Sequence, residues 1–134
     1  MNCYDTRKTN TTNNAYSIGD ILRRLDKMQK DALITTASDA CENCMLTAMY
    51  NTKPISLYTN CRQITALIGV DGTETNLFRV EAVRDDETCV LRLLQNNNGT
   101  IVCTSYTIIV KIACICYIQC FDPINCDTAC YPVI

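Results

Sequence analysis

Residues 77–100 read LFRVEAVRDDETCVLRLLQNNNGT. In LFRVEAV the apolar and charged residues alternate. That places Phe78, Val80 and Ala82 on the inward face of a strand and Arg79 and Glu81 on the outward face. RDDE, 84–87, is a polar turn, and TCVLRLLQ resumes the strand pattern, so the two runs predict an antiparallel hairpin. NNNG, 96–99, is a strong tight-turn signal, because Asn and Gly tolerate the positive φ that short hairpin loops demand. A third strand then follows from Thr100. The stretch reads as a β-meander, and it sets the fold class for the rest of the chain.

Upstream the same pattern continues. PISLYT, 54–59, puts Ile55 and Leu57 on one face. QITALIGV, 63–70, puts Ile64, Ala66, Ile68 and Val70 on one face, and DGTE, 71–74, turns the chain. Downstream, TIVCTSYTIIVKIACICYIQC, 100–120, is too long for one ordinary strand. It is expected either to bend near Thr104–Ser105 or to run as a long strand across the sheet. Read as a strand, its last part, KIACICYIQC, aligns Cys114, Cys116, Ile118 and Cys120 on one face and Ile115, Tyr117 and Gln119 on the other.

SIGDILRRLDKMQKDAL, 17–33, breaks this alternation. Its apolar residues at 18, 21, 22, 25, 28 and 32 follow a 3.6-residue period and predict an amphipathic helix. Ser17 followed by Asp20 resembles a capping box with Asp in place of Glu. Residues 1–16 are rich in Asn and Thr and read as a polar arm, expected to dock on a neighbouring subunit. Residues 17–134 read as a single helix-plus-β domain. The expected architecture is mainly β: a small antiparallel β-sandwich or barrel with one N-terminal amphipathic helix.

The totals narrow the function. The chain has 134 residues, a formal net charge of −2 and 48% hydrophobic residues. That suits one domain with one core. It argues against a nucleic-acid binder, which needs a basic face, and against a polybasic membrane anchor. No uninterrupted apolar run of membrane-spanning length is present, and MNCYDTRKTNTTNNAY lacks the apolar centre of a signal peptide, so the chain reads as unexported. There is no histidine, which removes Ser-His-Asp and Cys-His catalysis and every His-bearing zinc pattern. GxSxG, P-loop and GxGxxG motifs are likewise missing. A non-enzymatic protein without a cofactor is the expectation.

What stands out is eleven cysteines. At about 8% of the chain this reaches the level of disulfide scaffolds. The odd number leaves at least one thiol with no partner inside the chain. Cys41 and Cys44 form a C-x-x-C, but a helix precedes it and no βαβ pattern surrounds it, which argues against redox catalysis. No second C-x-x-C completes a four-cysteine zinc site. Same-face neighbours on a strand stand about 6.6–7 Å apart, so Cys114 and Cys116 are not expected to bond each other while extended. All eleven are candidates for disulfide cross-linking: Cys3, Cys41, Cys44, Cys61, Cys89, Cys103, Cys114, Cys116, Cys120, Cys126 and Cys130.

These residues also carry a family likeness. CICYIQC at 114–120 resembles the C-terminal signature of the bacterial spore coat proteins CotY and CotZ and their exosporium relative ExsY. TKPISLYT at 52–59 and LFRVEAV at 77–83, with an acidic turn and CVLRLL after it, agree in order and spacing. The resemblance spans roughly residues 52–121. It implies a structural protein of the outer spore layers, made in the mother cell without export, that self-assembles into ordered, disulfide-linked sheets with itself and with other coat or exosporium proteins. By motif, Cys114, Cys116, Cys120 and Cys89 are the matching thiols. The chain departs from the pattern at its N-terminus, where relatives often carry His- and Cys-rich segments and this arm holds only Cys3. Two alternatives stay open: a subunit of a spore appendage fibre, and a small Cys-dependent metal-binding or redox module.

Overall fold

The computed structural model describes residues 17–31, 34–35 and 49–126. The proposed arm 1–16, the connector with Cys41 and Cys44, and the tail from residue 127 lie outside the described residues. Helix α1 spans Ile18–Lys30. Its start is the predicted capping box: the Asp20 N–H donates to Ser17 Oγ at 3.0 Å, and the Ser17 N–H is turned to Asp20 Oδ2. Leu22 and Leu25 are buried, and on the solvent side Lys27–Asp31 and Lys30–Asp26 pair one turn apart at 3.0 Å. Such exposed pairs add a few tenths of a kcal/mol each.

Among the described residues nine strands accompany the helix. Strands β1 (Ile34–Thr35) and β2 (Met49–Tyr50) pair with each other. Then come β3 (Ile55–Tyr58), β4 (Ala66–Ile68), β5 (Thr73–Thr75), β6 (Leu77–Val83), β7 (Thr88–Asn97), β8 (Thr100–Lys111) and β9 (Tyr117–Cys120). Five of them form an antiparallel sheet in the order β8-β7-β6-β3-β9, and β4 and β5 make a separate hairpin. The mainly-β class with one N-terminal helix is therefore as expected. Among the described residues the large sheet is open, with β8 and β9 as its edges, and does not close into a barrel.

The meander forms where the sequence placed it. β6 and β7 join through residues 84–87, with Glu87 at φ 66°, and the Asp86 carboxylate accepts the Thr88 hydroxyl at 2.6 Å. That hydrogen bond holds the Asp86 carboxyl below its ordinary range. β7 and β8 join through Asn98 and Gly99, at φ 54° and 95°. Two consecutive positive φ values are what a two-residue mirror-image turn requires.

One face of the sheet is the main core. Leu22 and Leu25 of α1 pack with Ile55, Leu57, Phe78, Val80, Cys89, Leu91 and Leu93, while Ile64, Ala66 and Ile68 lie at its margin. β6 slips register between Val80 and Ala82, and at that irregularity Gln29, 3% exposed, donates to the Val80 carbonyl at 2.8 Å. The same side chain accepts the Lys53 N–H at 3.0 Å. A buried amide is tolerated because both ends are hydrogen-bonded.

Three expectations about individual residues fail. Val70 is 98% exposed, because β4 ends at Ile68 and the chain turns at Gly69 (φ 83°) before the alternation reaches it. Arg79 is not outward in the sense of solvated; it is 9% exposed on a covered second face. KIACICYIQC is not one strand. β8 does slip register against β7 between Thr107 and Cys103, across the predicted Thr104–Ser105 bend, but it continues to Lys111. It then breaks into a 3-10 turn at Ile112–Cys114. The cause is burial: Ile112 and Ile115 both enter the core, at 7% and 5% exposure. Residues three apart share a face on a 3-10 turn and oppose each other on a strand.

Candidate functional site

The 3-10 turn redistributes the thiols that an unbroken strand would have aligned. Cys114 is half-buried on the turn. Cys116 follows it and is exposed, with its N–H donating to the Tyr58 carbonyl at 2.7 Å. Cys120 is exposed at the end of β9, opposite Ile55. Cys61 is exposed in the loop after β3. Cys116 makes no bond to Cys114, although the extended spacing on which that expectation rested gives way here to the 3-10 turn. Cys3, Cys41, Cys44 and Cys130 lie outside the described residues.

Cys103 and Cys126 form a disulfide inside the chain, with Cα atoms 5.6 Å apart. It ties β8 to the segment that follows β9. The bridge sits in a second apolar cluster on the sheet's other face, with Leu94 and, around it, Leu77, Ile101 and Ile124. Closing a loop of 23 residues stabilises a fold by about 3 kcal/mol in the chain-entropy view. The pairing was not legible from spacing, because it depends on the chain returning along Thr52. There Ile124 and Thr52 exchange N–H···O bonds at 2.8 and 3.1 Å, and Asn51 Oδ1 accepts the Cys126 N–H at 2.8 Å.

Cys89 is 0% exposed and belongs to the helix-side core. Sequence reasoning put it among the cross-linking thiols; in this fold no second molecule can reach it. Burial, with the negative charge of Asp26 adding to it, pushes its thiol up to about 12. It is a small apolar core residue, held in the protonated form.

The residues that alternation alone missed are charged. Arg79 and Arg92 stand directly opposite each other on β6 and β7. Like charges so placed repel unless an anion lies between them. Glu81 supplies it: one carboxylate oxygen accepts from Arg79 Nη1 at 2.8 Å and from Arg92 Nε at 2.9 Å. The register slip in β6 precedes Ala82 and brings Glu81 to this position. Arg79 also donates to Thr52 Oγ1 at 2.8 Å and to the Asn51 carbonyl, and Arg92 to the Thr104 carbonyl. The signal in the sequence was the pair of arginines at mirrored positions in two apolar strands. The cluster locks β6, β7 and the residue-51 segment together; it presents no nucleophile.

The exposed edge is the remaining feature. β9 pairs with β3 through Tyr117↔Tyr58, Ile118↔Leu57, Gln119↔Ser56 and Cys120↔Ile55, and no described residue pairs with its other side. Tyr117 is 59% exposed and meets the Tyr58 ring edge-on at 5.8 Å. An open strand edge is a row of unmet backbone donors and acceptors, a template for another chain. Here it carries Cys120, with Cys116 one step before the strand. Among the described residues no group of three or more Cys, Asp or Glu side chains gathers as a metal site, and no helix is long and apolar enough to cross a membrane.

Comparison with protein-family models, curated proteins and solved structures returns no match for the chain.

Proposed function

We propose that this chain is a structural, self-assembling protein of the spore coat or exosporium, whose β domain is the repeating unit of an ordered lattice fastened by disulfides. One observation carries the reading. The fold closes its own bridge at Cys103–Cys126, yet Cys116 and Cys120 stay exposed along an open sheet edge. Thiols presented at a backbone template suit fastening between molecules. A contact that forms first holds the two sulfurs at high effective concentration, so a weak interface becomes durable once oxidised. The likeness of TKPISLYT, LFRVEAV and CICYIQC to the coat family gives the assembly its proposed place, in the outer layers of a spore after synthesis in the mother cell. Its partners are then further copies of itself and other coat or exosporium proteins, with no nucleic acid, membrane or cofactor involved. No catalytic role is assigned.

Recombinant protein examined by electron microscopy tests this. Extended ordered assemblies are expected under oxidising conditions, loosening or dissolving with reductant. A strictly monomeric product at high concentration, oxidised or reduced, would refute the reading. A fibre is the second form to be considered, because β8 and β9 both lie open at opposite edges of one sheet, which suits growth in one direction. Particle morphology separates the two.

A further inference from the structure

We propose that β8 is a self-complementary edge: two copies pair antiparallel over residues 107–111, with Ile109 of each facing Ile109 of the other across a two-fold axis. The inference rests on the reading of the chain as a self-associating protein and names one of its contacts. Its starting point is the direction of the backbone. The Ile112 N–H donates to the Glu87 carbonyl, on the β7 side, at 3.0 Å. Lys111 before it is extended (φ −89°, ψ 125°) and opposite Thr88 in the ladder. Backbone groups alternate along a strand, so Val110 and Ile108 also turn to β7, and the N–H and C=O groups of Thr107, Ile109 and Lys111 point away from the sheet. β7 agrees with this phase. The Leu93 carbonyl accepts the Thr104 hydroxyl on the β8 side, and the Thr88 carbonyl accepts the Arg84 N–H on the β6 side. No described residue pairs with the outer side of β8.

The side chains on this edge are apolar. Ile108, Ile109 and Val110 stand together with neither charge nor proline among them. Ile109, opposite Val90 on the reverse face, is 55% exposed. On the helix face Ile108 and Val110 lie at the margin of the main core and are only half-buried. Proteins commonly guard an open edge with charges or with bulges. Here both devices stand at the ends of the run: the register slip lies before Thr107, and Lys111 is followed by the 3-10 turn. They bound the middle and leave it open.

Those bounds select the occupant. A longer foreign strand would overrun the ladder at both ends, into the slip and into the turn. A second copy stops where the first stops. Ile109 is the midpoint of residues 107–111, so a two-fold axis there sets Thr107 against the partner's Lys111 and Ile108 against the partner's Val110. Every outward N–H of the run then meets an outward C=O. The single charge, Lys111, faces a hydroxyl, so no like charges are opposed. On the helix face the half-buried Ile108 and Val110 of the two copies meet, and the main core continues across the axis. The contact is isologous and closes on itself.

The joint leaves β9 uncovered at the opposite edge of the sheet, with Cys120 on it. β8 thus supplies a contact made without sulfur, and the thiols at the other edge remain for oxidative fastening.

The full chain, with its accessible thiols capped by iodoacetamide so that no new disulfide contributes, tests the joint by sedimentation over a concentration series. Wild type is expected to pass from monomer to dimer. Ile109→Lys and Ile109→Glu each oppose like charges across the axis and should weaken the dimer by about tenfold or more. An equimolar mixture of the two should form a mixed dimer tighter than either variant alone, because a two-fold contact at residue 109 opposes the new charges to each other. Hydrogen exchange needs no variant: the amides of Thr107, Ile109 and Lys111 should exchange more slowly at the dimeric concentration than in dilute monomer. Wild type that stays monomeric throughout, equal dimerisation of all three proteins, or no gain on mixing would overturn the inference. If capped protein is monomeric yet uncapped, oxidised protein builds ordered assemblies, the β8 joint fails and the assembly reading stands. If the charge-swapped dimer forms but oxidised wild type never grows beyond dimers, the joint stands and the lattice fails.

Discussion

The two faces of the five-stranded sheet are held by different chemistry. The face under α1 is almost wholly apolar: Leu22 and Leu25 lie on Ile55, Leu57, Phe78, Val80, Leu91 and Leu93, and the buried Cys89 behaves as one of them. The reverse face buries Arg79, Arg92 and Thr52 and carries the Cys103–Cys126 bridge beside a small apolar cluster. The first face is stabilised by area removed from water, which is non-directional and tolerant of exchange among apolar groups. The second depends on particular partners, since a buried charge without its counter-charge is far more costly than a smaller hydrophobe. The lesson is that β6 and β7, though their sequences alternate, are not half-solvated strands. Both sides are covered, each by its own means.

The comparison can be broken first on the apolar side. Phe78 is fully buried beneath α1, so Phe78→Ala should cost about 4 kcal/mol, read as a lower denaturant midpoint with an unchanged slope. On the polar side, Glu81→Ala leaves Arg79 and Arg92 facing each other across the ladder. A loss of about 3 kcal/mol is expected, with Glu81→Gln falling between it and wild type because the amide oxygen still accepts. If both variants matched wild type, the polar face would contribute nothing specific.

A smaller effect sharpens the view of Cys89 as a core residue. Its thiol is raised from 9.0 to about 12, so the folded state prefers the protonated form. The associated stability is fully present below pH 9, declines as the unfolded chain's thiol ionises, and is exhausted as pH rises through 12. Relative to Cys89→Ala, wild type should lose about 1 kcal/mol between pH 8 and pH 10. Paired urea titrations at the two pH values measure this, and parallel losses in both proteins would show that Cys89 is not the source. Under native conditions Cys61, Cys116 and Cys120 should react with a thiol reagent well before Cys89.

Much of this fold is written locally. Ser17, Asp20 and the 3.6-residue spacing of Ile18, Ile21, Leu22 and Leu25 specify α1 and its start, because capping and amphipathicity act within a few residues. The Asn98-Gly99 turn is specified in the same way, by the backbone angles those two residues allow. Alternation identified Ile55, Leu57, Phe78 and Val80 as core, since a strand has only two faces. The eleven cysteines, their odd number and the lack of histidine are likewise properties of the sequence alone. What the tertiary structure decided is what each thiol does. Burial of both Ile112 and Ile115 forced the turn that broke the thiol row. The return of the chain along Thr52 brought Cys126 to Cys103, and packing under α1 closed off Cys89. The place of β9 as last strand of the sheet left Cys116 and Cys120 outside. A cysteine's fate depends on what lies across from it, and that is set by contacts between residues far apart in the chain.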